Sequence, residues 1–338
     1  MLLLIIVTKM AGIENIYDAI TSIDPQFLAI AIALHVAVML LGAYRWSRLL
    51  KILGFSVPVL STFQFQLIDK VANSFFPTSA MGITARTLML KQRYGVEHTD
   101  GLATIVLDYG FDTFATLFAA LPCFLLLYGT MGHLISGAAL ACIALLSMLF
   151  VAVVVINSPQ VRKRIHVLEG NNAKRTFIQK LTSHRIGKNV IKFSLSFNAM
   201  LSHPAASAKA MAVSIVVKAL EALRLYILFL AFGISLPFAY LLLLEVLWVF
   251  LKVMMITPGG VGTSETSRIA LYSIHPIVTS AVATPIVFID RFITFWLTLA
   301  AGSVTLMLYN RGQDSSEGSS PLRFPSTCEK GIAVKDPE

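Results

Sequence analysis

The sequence predicts an all-α protein, a polytopic bundle of transmembrane helices, and three observations carry that prediction. Charge is scarce: Asp, Glu, Lys and Arg make up 13% of the 338 residues, about half the ~25% of a soluble domain. The apolar residues, 56% of the chain, gather in long blocks at 29–43, 101–128, 134–156, 210–234 and 277–308. Each block is near or above the roughly 20 residues that cross a ~30 Å hydrocarbon core. The basic residues collect between blocks. Residues 162–192 hold nine Lys or Arg against the single acid Glu169, the asymmetry that marks a cytoplasmic loop. The formal net charge of +9 therefore reads as a topology signal and an attraction to anionic lipid heads. No aromatic-interleaved or zinc-type element accompanies it, so no nucleic-acid partner is expected.

Residues 1–7 are apolar but too short to span and lack a basic leader, so they read as the end of a helix begun upstream of this start, not as a signal peptide. The first block, from about Phe27, ends in Arg45-Trp46-Ser47-Arg48 and Lys51, an aromatic and basic edge expected at the cytoplasmic interface. The stretch 57–95 is too polar for an ordinary span. It carries Gln64, Gln66, Asp69, Lys70 and Asn73, breaks at Pro77 to Gly82, and continues into Arg86, Lys91 and Arg93. Both flanks are basic, so the stretch reads as a re-entrant hairpin with Pro77 near its tip. Irregular backbone at that depth needs protein or a watery cavity to satisfy it. Blocks 101–128 and 134–156 then cross and return, delivering the basic loop to the cytoplasm.

The second half repeats this plan in the opposite sense. Block 210–234 crosses outward, and 237–274 is interrupted at Thr257-Pro258-Gly259-Gly260-Val261-Gly262 with few charges on either flank. Block 277–308 returns. Pro77 precedes Asp108 by 31 residues and Pro258 precedes Asp290 by 32. Each Pro is followed by Gly (Gly82, Gly262) and then a charge (Arg86, Glu265). Two interrupted apolar segments in matching positions predict an inverted repeat whose binding site lies at the breaks. The expected domains are thus a transmembrane unit over 1–309, with halves at about 25–156 and 207–309 around a basic cytoplasmic loop at 157–206, and a disordered cytoplasmic tail at 310–338.

An ionisable group inside a membrane costs on the order of 3 kcal/mol by insertion scales, so each one calls for a partner or a purpose. Glu265 stands just past the Gly-rich break. Capping of the following helix, pairing with Arg268 one turn on, and a substrate or coupling role all fit it. Gly259, Gly260 and Gly262 permit close backbone approach, either for tight packing or as a phosphate cradle at a helix start. The segment is neither a dinucleotide fingerprint nor a nucleotide P-loop. Arg86 and Arg291 are candidates for a lipid phosphate, with snorkelling to the interface as the alternative for Arg86. Asp108 and Asp112 share a helix face, with Lys70 or Arg86 as expected partners. Asp290 stands beside Arg291. Lys218, Glu221 and Arg224 share another face and read as ion pairs within the bundle. The histidines lie mostly in loops and show no metal-ligand spacing. Cys123, Cys142 and Cys328 form no framework. No cofactor or metal is expected, and no catalytic elbow is present.

The sequence Pro258-Gly259-Gly260-Val261-Gly262-Thr263-Ser264-Glu265, together with Arg45-Trp46, Pro77, Gly82, Arg86, Asp108, Asp112 and Asp290-Arg291, resembles the lysylphosphatidylglycerol synthase transmembrane-region family. That family is often called flippase-like and is sometimes linked to glycosyltransferases. The resemblance runs from about Pro25 to Tyr309. It implies the translocation-like part and not the synthase activity, because no soluble aminoacyl-transferase domain is read in this chain. Three functions fit the sequence. One is a flippase-like transporter of a phospholipid or lipid-linked substrate in the cytoplasmic (inner) membrane. Another is a non-catalytic subunit that docks a glycosyltransferase or lipid synthase through the basic loop. The third is a membrane enzyme acting on lipid phosphates, which lacks a nucleophile or metal-ligand set here. Charges at both breaks favour the first.

Overall fold

The structure, a computed structural model, describes residues 23–75, 80–127, 202–253 and 257–314, with single positions at 137, 140, 141, 144 and 148. Block 134–156 falls almost wholly outside the described residues. Pro77, the amino-terminal 1–22, the basic loop up to 201 and the tail beyond 314 fall outside them altogether, while the end expected for that loop, 202–206, is described and already turns into a helix at Pro204.

The described residues are helical, with no strand among them. Helix α1 spans Pro25–Ile52; Asp24 caps it by accepting from the Gln26 N–H, and Pro25 occupies the first turn, where its missing N–H is harmless. Helices α2 (Val59–Phe75) and α3 (Ala80–Tyr94) flank the first break, and α4 runs His98–Leu127. In the second half α5 covers Pro204–Ala231 and α6 Phe238–Val253. A 3-10 turn at Pro258–Gly260 leads into α7, Thr263–Tyr272. Helix α8 (Ser280–Arg291) passes through a π-helical stretch, Phe292–Leu297, into α9 (Thr298–Asp314). Among the described residues three helices are long and apolar enough to cross a membrane: Pro25–Ile52, His98–Leu126 and the continuous Ser280–Arg311.

The sequence places most of these elements and misses two details. The last block is read only as a returning span, within which a π-helical stretch follows directly after Arg291. Helix α9 also continues to Asp314, five residues into the expected tail. The second detail matters less for the site than the first. A π turn adds a residue to the helical turn and re-aims the side chains that follow.

Packing crosses between the halves. Helix α1 lies along α5, α2 along α9, and α6 along α4, so the helix that precedes each break rests on a helix from the other part of the chain. The cores follow the same pattern. One gathers Leu225, Phe229, Leu241, Leu244, Ile286 and Val287 and takes in Ala31 of α1 and Phe124 of α4. The other gathers Trp46, Phe65, Met89 and Ile105 and is closed by Leu306 and Tyr309 of α9. Phe65 sits at its centre, edge-on to Trp46, Tyr94 and Tyr309 at 6.3–6.5 Å between ring centroids.

The α2–α9 contact is made at Gly302. A Cβ there would stand 2.5 Å from the Leu67 carbonyl oxygen, which is backbone and does not yield. Close approach through small residues is how helices associate in lipid, where apolar surface gains nothing by pairing. Gly302→Val is therefore expected to cost about 1–3 kcal/mol by overpacking, read as a lower unfolding temperature in detergent. An unchanged temperature would show that α9 does not pack on α2 in this way.

Candidate functional site

Among the described residues most interior charges fall into four arrangements. In the first, Arg45 of α1 donates to Asp108 (2.6 Å) and Asp112 (3.2 Å) of α4 and to Ser214 Oγ of α5 (2.7 Å). Lys218 of α5 completes it with contacts of 2.8 Å to both Asp112 and Glu221. The Arg45 and Asp108 side chains are 6% and 4% exposed and Asp112 is 32% exposed, so the cluster is sealed at one end and open at the other.

The second arrangement holds the first break. Arg86 of α3 pairs with Asp69 of α2 at 2.5 Å. Asn73 donates to Asp69 Oδ1, and its own carbonyl accepts from the Gly82 N–H, both at 2.8 Å. Arg86 lies between the rings of Trp46 (5.1 Å) and Tyr109 (5.7 Å). Those π faces provide part of what its Nε and Nη1, without hydrogen-bond acceptors among the described residues, would otherwise need.

The third arrangement mirrors the first in its chemistry. Arg224 of α5 donates to Asp290 Oδ1 at 2.9 Å, and Arg268 of α7 donates to Asp290 Oδ2 at 2.6 Å. Arg268 also lies 4.2 Å over the Trp248 ring. Arg224 reaches His35 Nδ1 at 3.4 Å. A guanidinium has no acceptor, so Nδ1 accepts, and the imidazole proton sits on Nε2, which donates to Thr298 Oγ1 at 2.9 Å.

The fourth arrangement is the Gly-rich break itself. Gly259, Gly260 and Gly262 have φ of 61°, 70° and 85°, a left-handed backbone that side chains with a Cβ disfavour. Gly259 also has no room for one: a Cβ would lie 2.9 Å from Phe295 Cζ and 3.5 Å from the Ser74 carbonyl oxygen at the end of α2. Glu265, at the third residue of α7, accepts from the Gly262 N–H at 2.7 Å, the reach-back half of a capping box. Its other oxygen accepts from Arg291 Nε at 2.8 Å, and Arg291 Nη2 donates to the Gly259 carbonyl. The Arg291 guanidinium lies 4.1 Å over Phe295, the fourth residue of the π-helical stretch.

The residues named from sequence thus divide among these arrangements with several changes of partner. Asp108 and Asp112 bind Arg45 and Lys218, and not Lys70 or Arg86. Arg45 is buried, not an interfacial side chain, because α5 and α4 close over it. Arg86 is likewise buried and does not snorkel. Glu265 caps α7 as expected but pairs with Arg291, while Arg268 turns to Asp290. Lys218 and Glu221 do pair, whereas Arg224 leaves their company for Asp290. His35 escapes the sequence reading altogether. Its signal is a single histidine inside the apolar block 29–43.

Long apolar helices that carry paired charges in their interior define an integral membrane protein of the helix-bundle class. Residues 1–302 match the family described as the lysylphosphatidylglycerol synthase TM region, and the chain belongs to that family. It is similar to a UPF0104 membrane protein of Methanothermobacter thermautotrophicus, 24% identical over 297 residues, which cover 86% of this chain and 88% of that one. It is also similar to a UPF0104 membrane protein of Pyrococcus horikoshii, 22% identical over 322 residues (91% and 94% of the two chains), and to one of Methanocaldococcus jannaschii, 23% identical over 315 residues (91% and 92%).

Proposed function

We propose that this protein is a flippase-like transporter of a phospholipid or lipid-linked substrate in the cytoplasmic membrane, and not an enzyme. The observation that supports this most is the meeting of the two interrupted segments. The Pro258–Gly260 turn lies against α2, beside Ser74 at the edge of the first break. Arg291 clamps that turn and Glu265 together. A membrane site of this type places irregular backbone and opposite charges where a zwitterionic or anionic head can replace one member of a pair. Arg86, Asp108, Asp112, Glu265, Asp290 and Arg291 are the charged groups of that site, with Pro258, Gly259, Gly260 and Gly262 as its backbone.

The inverted-repeat reading belongs to the same proposal. Arg45 of α1 pairs with Asp108 across 63 residues, and Arg224 of α5 pairs with Asp290 across 66. Equivalent helices of the two halves therefore exchange equivalent pairs. Membrane lipids are the expected partners.

The test is headgroup translocation in liposomes containing the purified protein, comparing wild type with Glu265→Gln and Arg291→Ala. Expected is movement of a labelled headgroup in wild type and its loss in both variants, each still folded. Movement that survives both substitutions keeps transport and removes the site from the Gly-rich break. No movement of any lipid class by folded protein transfers the proposal to a subunit that docks a glycosyltransferase or lipid synthase.

A further inference from the structure

At the end of α1 that reads as cytoplasmic is a cleft that the ion-pair arrangements touch only through Arg45. It lies between the last turns of α1 and the first turns of α5 and encloses about 480 Å³. Arg48, Lys51 and Lys209 line it, Arg45 forms part of its wall, and Tyr44, Ile52, Ala206 and Val213 supply an apolar lining. Among the described residues no acidic side chain lines it. That composition departs from the rest of the molecule, in which Arg45, Arg86, Lys218, Arg224, Arg268 and Arg291 each contact a carboxylate. Arg48 lies 5.0 Å over the Tyr44 ring and holds no ion pair, and neither Lys51 nor Lys209 holds one among the described residues.

We propose that this cleft binds the phosphate of an anionic lipid headgroup, with Arg48, Lys51 and Lys209 around the phosphate and the apolar wall against the glycerol and upper acyl chain. Three cations at one rim, none in an ion pair among the described residues, are the complement of a phosphodiester or phosphomonoester, and a guanidinium provides the planar fork such a group accepts. The apolar wall distinguishes a lipid from a free phosphate, which would have no use for it. Arg45 connects the cleft to the interior, since this residue lines the cleft and its guanidinium holds Asp108 and Asp112. The inference rests on the transporter reading only in making this cleft the place where a headgroup is received before it reaches the interior charges. It narrows the substrate class to lipids with a net negative head.

Binding and translocation are measured separately on the full chain in detergent and in liposomes. Wild type is expected to bind labelled phosphatidylglycerol more tightly than phosphatidylcholine. The double variant Arg48→Gln/Lys209→Gln is expected to weaken phosphatidylglycerol binding by about tenfold or more, the scale of two charge contacts near a membrane surface. Arg48→Lys/Lys209→Arg is expected to restore it. Both positions are exposed, and a single symmetric peak in size-exclusion chromatography verifies that the variants fold. Equal binding of the two lipids, or undiminished binding by the double glutamine variant, would overturn the proposal. Displacement by soluble glycerophosphate as effective as by the lipid would overturn the lipid assignment. Charge-selective binding without translocation leaves the cleft in place and removes the transporter reading; translocation with unselective binding does the reverse.

Discussion

Asp290→Asn is expected to destabilise the fold by about 3–5 kcal/mol, the cost of removing one partner from a buried ion pair. Asp290 is 1% exposed, and its two oxygens separately hold Arg224 and Arg268. An amide in its place keeps one acceptor and turns a donor toward a guanidinium, so at least one buried cation loses its counter-charge. The effect spreads because these arginines belong to different elements. Arg224 ties α5 to α8 and, through His35, to α1, while Arg268 ties α7 to α8. Asp112→Asn is the control. Its side chain is one-third exposed, and Arg45 retains Asp108 while Lys218 retains Glu221, so the expected loss is under about 1 kcal/mol. Thermal unfolding in detergent ranks the two. Equal shifts would mean that the Asp290 carboxylate is not shared as described.

Gly82→Val is expected to cost about 3 kcal/mol or more and to reduce the yield of folded protein sharply. A Cβ at Gly82 would overlap Asp69 Oδ1 and the Asn73 amide. Neither can retreat cheaply. Asp69 is fully buried against Arg86, and Asn73 is held between Asp69 and the Gly82 N–H. Overpacking and the breaking of a buried pair therefore act together. Val at Gly110, where the nearest atom to a Cβ is Phe114 Cε2 at 3.9 Å, serves as the permissive comparison. Similar unfolding temperatures for the two variants would show that α2 and α3 do not cross at Gly82.

How far the sequence carries depends on whether a feature is local. The helical membrane class is local, because block length and missing charge are properties of consecutive residues. The Gly-rich break is also legible: three glycines beside a proline announce a backbone that cannot continue a helix, and Glu265 three residues past Gly262 announces its cap. Both appear as read. The π-helical stretch was not legible, because Phe-Ile-Thr-Phe-Trp-Leu carries no helix breaker.

The sequence by itself determined that this chain is a helical membrane protein, that the Gly-rich segment before Glu265 breaks a helix, and that its charges are few enough for each to call for a partner. Only the tertiary structure decided who pairs with whom. Asp108 has Arg45 and not Lys70, and Glu265 has Arg291 and not the Arg268 one turn away. The physical reason is that periodicity fixes which side chains share a face of one helix, whereas a buried charge takes the counter-charge that packing brings within about 3 Å. Among the described residues that counter-charge comes from another helix in every pair but Lys218–Glu221.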